Sequence, residues 1–167
     1  MKKFLLIVLS LSVLGLASIA NSQTIRIGTE GAYPPWNNLN SAGDLEGAEI
    51  DFGNEACKRM GVTCEWVTQD WDGIIPALLQ GKYDIIIAGM SITEERKEKV
   101  NFTTGYMTDG ARFAVLKNSG LADLNIAGMA KVNLNNAGGK EQAAIGQLIA
   151  AMDGKTVCVQ SSTIHQN

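Results

Sequence analysis

The sequence predicts an α/β protein whose strands run parallel in one sheet. Two observations carry that prediction. Strand-like and helix-like runs alternate from residue 24 to 116 in the order TIRIGT, IDFGNEACKRM, VTCEWV, IIPALLQ, YDIIIA, ARFAVL. A β-α-β-α-β order of this kind builds a parallel sheet with right-handed crossovers. The run YDIIIA is also unbroken in its apolar character, the pattern of a parallel strand covered on both faces. At 167 residues the chain is long enough for one domain with a real core and too short for two full ones. A content of 46% hydrophobic and 19% charged residues excludes a disordered chain. A net charge of −3 leaves no sequence-wide electrostatic case for binding nucleic acid. A single His argues against a His-based zinc site, and three cysteines are too few for a disulfide scaffold. No metal and no cofactor are expected.

Residues 1–22 read as a secretory signal peptide. Lys2 and Lys3 give a positive start, Phe4 to Ile19 is apolar, and Ala17, Ser18, Ala20 and Ser22 are small. The apolar run of roughly 16 residues is short for a membrane span of about 20. Cleavage after Ala20 or Ser22 would remove two of 14 basic residues, leaving 12 against 17 acidic ones and a mature charge of −5. Export places the protein in an oxidising compartment. There Cys57 and Cys64 read as a disulfide that ties the end of one helix to the strand after it, and free thiols become the weaker alternative. Closing so short a loop stabilises by roughly 2–3 kcal/mol in the chain-entropy model. Cys158 is left over in GKTVCVQ and reads as a buried free thiol.

The elements follow in order. Thr24 to Thr29 is a strand. Glu30 to Asn40 is a loop, forced by Gly31 and Pro34-Pro35. Ile50 to Met60 is a helix with Ile50, Phe52, Ala56 and Met60 as its apolar positions, stopped by Gly61. Thr63 to Val67 is a strand. Asp72 caps a helix from Ile74 to Gln80, which Gly81 ends. Tyr83 to Ala88 is a strand, Thr93 caps a short acidic-first helix, and Ala111 to Leu116 is a strand. Residues 119–153 are rich in Asn, Gly and Ala, with a helix at Lys140 to Met152. Gly154 to Gln160 opens a new strand whose sheet has no other members in the sequence. The expected organisation is a lobe at 23–118, a connector at 119–153, and the first strand of a second, truncated lobe at 154–167: a fragment of a longer gene product.

Ligands of open parallel sheets sit beyond the carboxyl ends of the strands. Glu30 and Tyr33 follow the first strand, Trp71 the second, and Gly89, Met90, Ser91 and Arg96 the third. Arg96 offers a fork that matches a carboxylate. Ser91 can accept from an ammonium or donate from its hydroxyl and backbone N–H. Tyr33 and Trp71 can sandwich an apolar stem or a flat cation. Glu30 offers a charge partner for a cationic side chain. Each has a plainer reading: Arg96 in EERKEK as a solvated helix charge, Trp71 as packing, Glu30 as a surface carboxylate.

The runs GTEGAYPPW, EGAEIDFGNEACKRMGVTCEW and QDWDGIIPALLQGKYDIIIAGMSITEERKEKVNFT together resemble the periplasmic amino-acid-binding proteins of ABC importers. The resemblance is strongest to the branch that binds lysine, arginine, ornithine, histidine, octopine and nopaline. It covers nearly all of residues 24–116 and resumes at 154–163. It implies a two-lobe clamp of the periplasmic-binding-protein type, with lobe one complete and lobe two only begun. It implies a monomer that captures an amino acid or opine, binds no nucleic acid, and delivers its ligand to an importer permease in the inner membrane. By that resemblance Arg96 holds the α-carboxylate, Ser91 the carboxylate and α-ammonium, and the Gly89 carbonyl the α-ammonium. Tyr33 and Trp71 flank the side chain, Glu30 reads a distal positive charge, and Thr163 reaches the carboxylate from the second lobe. Cys57 and Cys64 match the disulfide of the basic-ligand branch. Ser161 stands where a Gly is usual, and Ala88 and Gly89 replace small hydroxyl residues of some relatives. Two other classes share the fold. A periplasmic enzyme such as a cyclohexadienyl dehydratase needs a proton donor or acceptor at the ligand, for which Glu30 is the candidate. A sensor ectodomain needs a membrane span and a signalling domain.

Overall fold

The computed structural model describes residues 23–122, 124, 126, 132 and 137–166. The expected signal peptide at 1–22, part of the expected connector, and Asn167 lie outside the described residues. The chain divides between Phe102 and Thr103 into two units.

In the first unit a three-stranded parallel sheet has β1 (Thr24–Thr29) at its centre, flanked by β5 (Thr63–Thr68) and β6 (Ile85–Ile86). β1 and β5 pair in register from Thr24↔Thr63 to Thr29↔Thr68, and Ile27↔Ile85 and Gly28↔Ile86 join β6. The segment expected as a loop at 30–40 instead enters a small antiparallel sheet of β2 (Ala32–Tyr33), β3 (Asn37–Leu39) and β4 (Leu45–Glu46). The prolines bend the chain between β2 and β3 rather than abolish pairing. The backbone pairing is reinforced by Asn38 Nδ2 donating to Glu46 Oε1 at 2.9 Å.

Helix α1 (Ala48–Met60) begins two residues earlier than expected and ends as expected. Gly61 is left-handed at φ 69°, its N–H donates to Lys58 O, and Val62 N–H donates to Cys57 O. The buried stripe is Glu49, Ile50, Gly53 and Cys57. This corrects two expected core positions, because Phe52 and Met60 are half or more exposed. Positions 49, 53 and 57 share a face at four-residue spacing, whereas Phe52 points about 200° away from Ile50. Gly53 lies on that face because the Trp66 indole occupies the space, and a Cβ there would stand 2.6 Å from Cζ2. Cys57 and Cys64 form the disulfide, with Cα atoms 6.0 Å apart, and fasten α1 to β5.

A 3-10 turn (Trp71–Gly73) leads into α2 (Ile74–Leu79). Asp72 therefore sits inside the turn and is not the cap; Gly73 holds the cap position, its N–H donating to Asp70 O. Gly81 ends the helix at φ 72°. On one side of the sheet Ile74, Ala77, Tyr83 and Ala88 form a buried cluster. On the other, Ile27, Cys57 and Ile87 pack with Trp66. Gly28 makes room for the Tyr83 ring, whose hydroxyl donates to Ile74 O.

The third strand is shorter than expected, although Asp84 N–H to Arg26 O and Ile87 N–H to Gly28 O extend its pairing by one residue at each end. The expected burial on both faces holds for Tyr83 and Ala88 on one side and Ile87 on the other, whereas Ile85 remains 41% exposed. Helix α3 (Glu94–Lys97) starts at the expected cap, with Thr93 Oγ1 accepting from Arg96 N–H at 3.2 Å.

The second unit holds α4 (Gly139–Met152), within one residue of its expected start, with Ala144 fully buried. The runs 111–116 and 154–160, both expected as strands, form none. A strand satisfies its backbone groups only against a neighbour, and no ladder partner for either run exists among the described residues. Their side chains are exposed, and Cys158, expected to be buried, is an exposed free thiol for the same reason.

Candidate functional site

Parallel pairing brings the carboxyl ends of β1, β5 and β6 to one edge of the sheet. Gln69 N–H donates to Thr29 O at 2.9 Å, so the chain leaving β5 stays beside the chain leaving β1 before reaching Trp71. Beyond β6, Ile87 and Ala88 are buried and the chain turns at Gly89, φ 58°, a left-handed geometry that favours glycine. Met90 and Ser91 follow, half-buried.

Arg96 is the best-defined group at this edge. The Thr93 cap orients the first turn of α3, and Arg96 Nη1 donates to the Ser91 carbonyl at 2.8 Å. Its guanidinium carbon stands 5.4 Å from the centroid of the Trp71 ring. Burial lowers its pKa from the ordinary guanidinium value, and the charge of Glu95 acts in the opposite direction. A guanidinium stays charged under such shifts. The arrangement is a cation with a fixed plane, partly stripped of water, of the kind that suits a carboxylate ligand. The plain reading of Arg96 as one more solvated helix charge does not survive these contacts.

The structure thus brings Trp71, Ser91 and Arg96 together. Trp71 and Met90 also pack on the Ile74–Tyr83 cluster, which gives the aromatic wall a firm backing. Glu30, half-buried, follows β1 at the same edge. Tyr33 lies on β2, 38% exposed, with its carbonyl accepting from Trp36 N–H at 2.9 Å. Thr163 belongs to the second unit, where its hydroxyl donates to Gln160 O at 2.8 Å in an exposed turn.

Two residues of this edge were absent from the sequence reading. Glu49 is 2% exposed, and its carboxylate accepts from Gly89 N–H at 2.7 Å and from Asn37 Nδ2 at 2.6 Å. Buried Asn37 in turn accepts at Oδ1 from Gly31 N–H at 2.8 Å. One available signal was the four-residue spacing of Glu49, Gly53 and Cys57, which puts a carboxylate on the buried face of α1.

Residues 25–157 match the bacterial extracellular solute-binding proteins, family 3. The chain belongs to that family. It is 45% identical over 144 residues to the octopine-binding periplasmic protein of Rhizobium meliloti, covering 86% of this chain and 49% of the relative. It is 45% identical over 124 residues to the L-arginine-binding protein of Pseudomonas aeruginosa, covering 74% of this chain and 48% of the relative. A solved periplasmic binding protein of Salmonella typhimurium, described for high arginine specificity, is 34% identical. It aligns with a TM-score of 0.50 over 51% of this chain and 38% of its own. The chain spans about half the length of the curated relatives it matches. The parallel α/β architecture of the first unit is that of a periplasmic-binding-protein lobe. Among the described residues no helix is long and apolar enough to cross a membrane.

Proposed function

We propose that the protein captures an amino acid with a cationic side chain, or an arginine-derived opine, in the periplasm and delivers it to an ABC importer permease. The observation that carries the reading is Arg96, its guanidinium held by the Ser91 carbonyl and laid against Trp71 at the carboxyl edge of a parallel sheet. In this reading residues 23–118 are the ligand-binding lobe, 119–153 connect it to residues 154–167 of the second lobe, and the protein works as a monomer without catalysing a reaction. Arg96 takes the α-carboxylate. Ser91 and the Gly89 carbonyl serve the α-amino group, and Met90 lines the floor beside them. Trp71 and Tyr33 offer two π faces to a methylene stem or guanidinium. Glu30 pairs the distal charge. The names of the octopine- and arginine-binding relatives support a basic or opine ligand.

Calorimetric titration with L-arginine, L-lysine, L-ornithine and octopine, against L-glutamine and L-leucine, tests this. The cationic group should bind more tightly. Glu30→Gln should cost those ligands about 1.5–3 kcal/mol, the worth of a charge-assisted contact, a loss of about 10- to 150-fold in Kd. It should leave neutral amino acids nearly unchanged. Arg96→Met should weaken every α-amino acid alike. Tighter binding of glutamine or leucine than of arginine would refute the basic-ligand assignment.

A further inference from the structure

Glu49 stands behind the proposed ligand groups and bonds to the backbone of Gly89, and it is the most deeply buried charged residue among the described residues. Burying a carboxylate is costly unless hydrogen bonds replace its water. The direction of the bonds here is fixed from outside. The Gly31 N–H can only donate, so Asn37 must present Oδ1 to it. That turns the Asn37 Nδ2 donor toward Glu49. Gly89 brings a second backbone N–H to the other carboxylate oxygen. The two donors reach different oxygens of Glu49, so the relay closes on a side chain with an acceptor at both positions, which at this size is a carboxylate.

We infer that Glu49 is a positioning residue of the binding site. Through one carboxylate it ties the turn after β6, which presents Gly89, Met90 and Ser91, to the turn after β1, which carries Glu30. This rests on the reading of that edge as the ligand site. The relay runs from residue 31 through Asn37 and Glu49 to residue 89, its last link spanning 40 positions. It fixes the spacing between the groups assigned to the two ends of one ligand, the α-amino group at Gly89 and the distal charge at Glu30. An error of that spacing is felt in affinity, because a ligand that satisfies one end then misses the other.

The polarity of the relay supplies its own test. Glu49→Gln sets an amide N–H₂ against a donor and breaks one link. Asn37→Asp alone sets two carboxylates face to face. The double variant Asn37→Asp/Glu49→Gln reverses the middle link: the carboxylate introduced at position 37 would accept from Gly31 and from the new amide, and the amide oxygen would accept from Gly89. It keeps the number of hydrogen bonds in the relay and the net charge. L-arginine binding by calorimetry should weaken at least 10-fold in each single variant and return to within about 3-fold of the wild type in the double, at a temperature where all four proteins are folded by circular dichroism. In ¹⁵N-resolved spectra without ligand, the Gly31 and Gly89 amide resonances should both move in Glu49→Gln and lose protection from solvent exchange, and both amides should regain that protection in the double. Wild-type affinity in Glu49→Gln, or a folded double variant that stays as weak as the singles, overturns the inference. Should the wild type itself fail to bind arginine, the proposed ligand is wrong, and the amide spectra still decide the relay: a Gly89 resonance unmoved by Glu49→Gln refutes it.

Discussion

Gly28→Ala is the substitution whose cost can be worked most directly from the structure. A Cβ at position 28 would lie 2.5, 2.6 and 2.7 Å from Cε2, Cζ and Cδ2 of Tyr83. All three separations are well inside van der Waals contact. The ring cannot step aside freely. Tyr83 is 1% exposed, packed among Ile74, Ala77 and Ala88, and its hydroxyl donates to the Ile74 carbonyl. Over-packing of this kind costs about 1–3 kcal/mol, and a ring pushed off the Ile74 carbonyl forfeits a hydrogen bond worth about 1 kcal/mol. The expected loss is about 2–4 kcal/mol, read from urea unfolding followed by tryptophan fluorescence. Tyr83→Leu is destabilising by itself but opens the space, so Gly28→Ala should cost at least about 1 kcal/mol less in that background than in the wild type. The difference is a coupling energy of the size contacting residues show. A Gly28→Ala loss below about 0.5 kcal/mol, or an equal loss in both backgrounds, would refute the argument that the ring sets the identity of residue 28.

Native protein should show one thiol reactive to Ellman's reagent, the exposed Cys158, and three after reduction and unfolding; three before reduction would rule out the bridge. Reducing and blocking Cys57 and Cys64, seven residues apart, should lower stability by about 2.5 kcal/mol in the chain-entropy model. Hydrogen bonds from the Arg26 side chain, then from its backbone N–H, hold the Asp84 carboxyl below its ordinary value. A depressed carboxylate contributes stability above its unfolded value, near 4, and loses it as pH falls through the folded one. The stability gap between wild type and Asp84→Asn should therefore be full at neutral pH and close below about pH 4. A gap that stays constant from pH 7 to 3 would disprove the linkage.

What the sequence determined by itself is what short spans of chain decide. Gly61 ends α1 because the left-handed residue and the carbonyls it closes on lie within four positions. Thr93 caps α3 because its hydroxyl needs only the N–H three residues on. The order of β1, α1, β5, α2 and β6 follows from local periodicity, and the Cys57–Cys64 bridge joins neighbours in sequence. Arg96 and Trp71 could be nominated from their places after strand ends, and the family resemblance sharpened that choice.

Their meeting across 25 positions, with the guanidinium on the indole face, was decided only by the tertiary structure. So was the Glu49 relay, whose bond to Gly89 spans 40 residues, and the seating of Tyr83 over Gly28. The pairing of β2, β3 and β4 through an Asn- and Pro-rich segment likewise had no periodic signal to betray it. The two failed strands make the same point in reverse. ARFAVL and KTVCVQ have the composition of strands, but a strand is completed by hydrogen bonds to a neighbour, and composition does not say whether one is there. A helix or a cap carries its partners within a few residues of itself. A ladder, a buried carboxylate or a stacked cation takes its partner from distant chain, and only folding brings that partner into reach.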